Sequence, residues 1–143
     1  MNKRQYIIDI TGTQRIENDE EEVIDVTTTG NYTIAPTGNT FIRYKEYDND
    51  NPGVSQNTTI KISDNQITIT RNGDYESQLI LELNKRHQCH YATPAGSLMI
   101  GVFTHLMDIK LNKNGGNICV AYTLDFDSNT VSENTFKIKV RKN

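Results

Sequence analysis

From Tyr6 to Val140 apolar and polar residues alternate in short runs, and polar turns rich in Gly, Asn and Asp separate them. A period of two puts successive side chains on opposite faces of a strand. About ten such runs, spaced every 8–12 residues, predict an all-β sandwich or barrel. A meander of this length has few ways to hide its edges, and closure is the arrangement that removes them. The prediction is an all-β, closed antiparallel up-and-down barrel of about eight to ten strands, formed as one domain over residues 1–143.

The ends favour closure. In the first run, residues 5–16, Tyr6, Ile8 and Ile10 share a face opposite Asp9 and Thr11. In the last, residues 135–140, Phe136, Ile138 and Val140 alternate with Lys137, Lys139 and Arg141. Pairing first with last joins two dry faces. Between them, residues 23–29 and 32–35 flank an expected turn at Gly30-Asn31, and Pro36-Thr37-Gly38-Asn39 leads into residues 40–47. Proline presets φ and glycine supplies positive φ at such turns. Residues 58–63 and 66–71 form a hairpin across Asp64-Asn65. Asn72-Gly73 carries the sharpest turn signal, the dipeptide favoured by type I′ hairpins, ahead of residues 77–83. Residues 87–93 and 96–104 flank Thr93-Pro94-Ala95-Gly96, and 106–111 leads to a turn at Asn114-Gly115-Gly116. Residues 118–126 follow, and Asp127-Ser128-Asn129 leads into the last strand. A helix over residues 98–111 is disfavoured by its β-branched residues and its glycine.

A chain of 143 residues buries roughly 68–70% of its unfolded surface, enough for a core without metal or disulfide. Apolar content of 35% suits a sheet with one dry and one wet face. The net charge of -3 and a pI near 5.6 lack the basic footprint of a nucleic-acid domain, so no nucleic-acid partner is expected. Cys89 and Cys119 both lie in strand-like runs and read as reduced. Asp9 interrupts the apolar residues after the basic start, so no signal peptide is predicted. The longest apolar run, residues 98–103, is too short to span a bilayer as a helix. The expectation is a cytoplasmic protein without cofactor or membrane partner, with a homodimer left open.

Several pieces in order carry a family resemblance. They are Gly12-Thr13-Gln14, Thr29-Gly30-Asn31-Tyr32, Tyr44-Lys45-Glu46 and Thr58-Thr59-Ile60-Lys61-Ile62. Further on come Arg71-Asn72-Gly73, Thr93-Pro94-Ala95-Gly96, Val102-Phe103-Thr104 and Tyr122-Thr123-Leu124. Together they cover nearly the whole chain, which resembles the YwiB-like family of uncharacterised bacterial proteins. The resemblance implies a calycin-like, or lipocalin-like, barrel and no settled activity. Where the family often has an aromatic this chain has Ala95, which implies a more open barrel mouth if that aromatic closes it. The loop around Asn51-Pro52-Gly53 is a second departure.

The polar residues that stand out are Tyr44, Glu46 and Arg71. Tyr44 and Glu46 share a face with Ile42, and Arg71 shares one with Ile67 and Ile69. A carboxylate and a guanidinium that both point inward need each other, because an unpaired buried charge is costly. With Tyr122, they form the candidate ligand-binding set. The alternative is a structural ion pair at one barrel end, or an outward-facing pair beside a turn.

Other chemistry is weaker. The acidic run at residues 17–22 lacks the spaced ligands and central glycine of a calcium loop, and reads as a solvated turn. His87 and Cys89 share a face that His90 does not, and His105 lies on another strand, so a four-ligand zinc site is not expected. A strand-buried Cys89 makes a poor nucleophile. Lys137, Lys139, Arg141 and Lys142 read as a solubilising outer stripe. Tyr32, Phe41, Tyr44 and Tyr47 could stack bases, but no basic groove accompanies them. Asn114-Gly115-Gly116 precedes no helix and is no phosphate loop. No catalytic signature is present. The leading expectation is a non-enzymatic binding protein for a small, partly apolar ligand in the barrel interior. A filled barrel acting as an interaction or structural module is the alternative. An enzyme with Glu46 as base and Arg71 as anion clamp ranks third.

Overall fold

Alternation carries the chain into ten strands: β1 (Tyr6–Ile16), β2 (Glu22–Ile34), β3 (Thr40–Tyr47), β4 (Ser55–Ser63), β5 (Gln66–Gly73), β6 (Ser77–Glu82), β7 (Arg86–Thr93), β8 (Gly96–Asn112), β9 (Gly115–Phe126) and β10 (Asn129–Lys142). The computed structural model describes residues 5–16, 20–47, 55–73, 76–93, 96–127 and 129–143. The start of the acidic run, the loop around Asn51-Pro52-Gly53, and Pro94-Ala95 lie outside them.

Each strand pairs antiparallel with its neighbour in sequence, and β1 pairs with β10 to close the ring. The closing register runs from Tyr6↔Lys142 to Ile16↔Ser132 and sets Ile8 opposite Val140 and Ile10 opposite Ile138. Cross-strand partners in such a ladder share a face. The inner face therefore collects Ile8, Ile42, Ile60, Ile67, Leu81, Val102, Ile118, Val120 and Ile138, all fully buried. Each such side chain stabilises the fold by about 1.5–3 kcal/mol. One end of the barrel is shut by an aromatic pair, Tyr6 and Tyr32, whose rings lie 5.3 Å apart. The Tyr32 hydroxyl donates 2.6 Å to the Asn112 carbonyl across the ring.

Three turn expectations are corrected. Gly30-Asn31 is not a turn: β2 passes through it and pairs Gly30 with Tyr44 and Asn31 with Arg43. Glycine is needed because the β3 backbone comes too close for a side chain, a Cβ there standing 2.2 Å from the Arg43 carbonyl oxygen. Asn72-Gly73 is likewise in strand β5, paired with Asn57 and Gln56 on β4. Only its glycine has positive φ, so the dipeptide does not meet the type I′ requirement. The third concerns the glycine pair at 115–116, which opens β9; the turn is Lys113-Asn114, between paired Asn112 and Gly115. The Asp64-Asn65 hairpin and the turn after Ala35 stand as read, with Asp64 at φ 46° and Gly38 at φ 93°. Residues 96–104 and 106–111 are one strand, β8, with a register shift that leaves His105 unpaired.

Candidate functional site

Beyond the aliphatic layer the inward positions turn polar. Tyr44 and Glu46 of β3, Thr58 of β4, Arg71 of β5, Tyr91 of β7, Tyr122 of β9 and Asn134 of β10 follow the same inward alternation as the core. They surround the end of the barrel away from the Tyr6–Tyr32 pair, where a cavity of about 690 Å³ opens.

The centre of the polar wall is an ion pair. Arg71 Nε donates to Glu46 Oε2 at 3.2 Å, and the Thr58 hydroxyl donates to the same oxygen at 2.9 Å. The two charged side chains are 28% and 36% exposed, so the pair sits at the cavity surface rather than sealed in the core. Burial works against the charge on Arg71. The Glu46 carboxylate opposes it, helped by Tyr44, Tyr91 and Tyr122, and the guanidinium pKa ends above its ordinary value. Burial, with the Glu46 charge, pushes the Tyr44 phenol up, against the weaker pull of Arg71 and Thr58. Burial also raises Tyr122, again opposed by Arg71. At neutral pH the wall is thus a charged guanidinium among protonated phenols.

The facing wall carries an apolar group, Ile10 of β1, Ile24 and Val26 of β2, and Phe136 of β10, beside Gln14 and Glu22. Its opening has a topological cause. β2 pairs with β1 from Gly30 back to Glu22, yet pairs with β3 only from Gly30 to Ile34. Among the described residues, 22–29 are therefore held along one edge, and no described strand covers their lumen-side chains. Ile24 is 63% exposed and Val26 44%, although both point inward with Ile10 and Gly12. Gly12 adds room, since a Cβ there would meet nothing within 4 Å.

The four residues singled out from sequence, Tyr44, Glu46, Arg71 and Tyr122, all line this cavity. Tyr91 and Asn134 were missed. Tyr91 was legible as sharing the Cys89 face. Asn134 lies one residue before the last strand expected from sequence, residues 135–140, whereas β10 begins at Asn129. The other candidates disperse. His87 turns to Glu82 at 2.9 Å, Cys89 is buried and accepts from the Ile80 amide, and His90 and His105 are exposed. Among the described residues no three His, Cys, Asp or Glu stand close enough to hold a metal ion. Cys89 and Cys119 are both free thiols. Tyr32 and Tyr44 point inward while Phe41 lies under Arg43 on the outside, so these aromatics share no stacking face. The Tyr47 side chain lies outside the described residues. On the outer wall, unforeseen, Arg86 reaches over Gly101 to form two hydrogen bonds to Asp125.

The family model described as "Domain of unknown function (DUF1934)" matches residues 8–138. The chain belongs to that family. Among solved structures, the ywiB protein from Bacillus subtilis shares the fold at a TM-score of 0.84 and 17% identity, over 98% of this chain and 92% of that one. The YwiB-like resemblance read from the motifs therefore holds, and the ten-strand closed barrel fits a calycin-like fold. No curated protein matches the chain. DUF1934 membership carries a fold and leaves the activity to be argued from the cavity.

Proposed function

We propose that this protein binds a small, partly apolar molecule in the open half of its barrel and performs no chemistry on it. The observation that carries the reading is the two-walled cavity of about 690 Å³, of the size that holds small ligands. One wall offers Arg71, Tyr44, Tyr91 and Tyr122; the other offers Ile10, Ile24, Val26 and Phe136. Ile24 and Val26 face the lumen with no cover among the described residues, an arrangement that costs hydrophobic free energy until something apolar covers them. A filled barrel acting through its surface accounts for the packed half and leaves this open half unexplained. Calycin-like folds host many functions, so the fold itself adds nothing to the choice.

Native mass spectrometry of gently purified protein, with a denatured control, tests the reading. The expected result is a reproducible added mass that denaturation removes. Gly12→Leu projects a side chain into the cavity and is expected to abolish the adduct while the fold persists by circular dichroism. An adduct that survives Gly12→Leu would place the ligand elsewhere, and a bare wild-type mass would favour the filled barrel.

A further inference from the structure

We infer that the ligand of this cavity carries a carboxylate at one end of an apolar body, and that the terminal nitrogens of Arg71 receive it. The inference rests on the binding reading above and gives it a chemical class.

The polar wall supplies hydrogen-bond donors in excess. Arg71 commits Nε to Glu46, and among the described residues its two Nη nitrogens meet no acceptor. Glu46 is itself held by Thr58, so the carboxylate anchors the guanidinium from one side and leaves the Nη edge for the cavity. The phenols of Tyr91 and Tyr122, and Tyr44 beside Glu46, stand close enough to Arg71 to act on its charge. Each phenol can donate as well as accept. One unspent guanidinium edge matches one planar monoanion in a bidentate pair. A phosphate dianion at the Arg71 edge would have the Glu46 carboxylate beside it, which disfavours the second charge. Opposite the donors, Ile10, Ile24, Val26 and Phe136 offer contact to an apolar body, and Glu22 on the same side disfavours a second anionic group there.

The test is isothermal titration of the whole protein with sodium decanoate and, separately, with 1-decanol, whose chain is the same and whose head is uncharged. Decanoate should bind at least tenfold tighter than decanol. In Arg71→Gln that preference should vanish, a loss of roughly 10- to 100-fold for decanoate, as expected for a charge-assisted hydrogen-bonded pair. Because Arg71→Gln strands Glu46, the doubly neutral Arg71→Gln, Glu46→Gln protein serves as the second variant and should lose the preference equally. Glu46→Gln alone removes the repelling charge and should tighten decanoate severalfold relative to decanol. Equal binding of both probes to wild type overturns the carboxylate and leaves a neutral-ligand cavity standing. Absence of decanoate binding overturns the carboxylate as well, and the native mass spectrum then decides the broader reading on its own.

Discussion

At the scale of single residues, one buried side-chain hydroxyl among the described residues has nothing to bond. Thr104 is fully buried, and its Oγ1 has no partner among the described residues. Its carbonyl is satisfied by the Asn84 amide at 2.7 Å, so the backbone does not need the hydroxyl. An unsatisfied buried polar group costs about 1–3 kcal/mol in desolvation. Thr104→Val keeps the β-branched shape and removes that group. The variant is expected to raise stability by about 1 kcal/mol, read as a higher urea midpoint at unchanged slope. A lower midpoint would mean that a water or a ligand satisfies the hydroxyl in solution. The Arg71–Glu46 contact is the opposite case, a pair whose members satisfy each other. It was legible because strand parity put both on faces already marked dry by Ile42, Ile67 and Ile69. The Arg86–Asp125 pair was not legible: it crosses from β7 to β9 over β8, and no local pattern encodes a contact between residues 39 apart.

At the scale of elements, two glycines of adjacent strands do opposite things. A Cβ on Gly30 would stand 2.2 Å from the Arg43 carbonyl oxygen and 2.7 Å from Ile8 Cδ1, while one on Gly12 would meet nothing within 4 Å. Neither residue has positive φ, so the contrast is one of space alone. Gly30→Ala must push β2 away from β3 just where their pairing ends, and should cost about 2 kcal/mol or more. Gly12→Ala should be neutral or stabilising by about 0.4–1 kcal/mol through the unfolded chain. Parallel denaturation of the two variants checks both, and equal costs would refute the close-approach account. The same reasoning shows why β2 was misread. A glycine inside a strand and a glycine in a turn look alike in sequence, and only the neighbouring backbone tells them apart. β8 was split for a related reason: its register shift at His105 reverses the alternation, which reads as an interruption although the strand continues.

At the scale of the whole molecule, closure was the most legible feature, because Tyr6, Ile8 and Ile10 and Phe136, Ile138 and Val140 offered two dry faces with no other partners. The open half was less so, since alternation says which way Ile24 and Val26 point and nothing of whether β3 covers them. Closure also ties tyrosine chemistry to the global fold. Tyr32, Tyr44 and Tyr122 all have phenol pKa values raised by burial above the ordinary 10.0. The folded barrel thus holds protons that the unfolded chain releases near pH 10. Under linkage, stability from these groups is intact below pH 10 and is lost as the pH climbs through the raised folded values. The buried Cys89 thiol is raised above its ordinary 9.0 in the same way, so the urea midpoint should begin to fall near pH 9 and fall further above about pH 10. By tyrosinate absorbance, Tyr32, Tyr44 and Tyr122 should ionise only together with loss of the circular dichroism signal. Tyr44→Phe removes the phenol set closest to Glu46 and should make the alkaline decline shallower. A decline as steep in Tyr44→Phe as in wild type would assign the alkaline lability to groups other than the Tyr44 phenol.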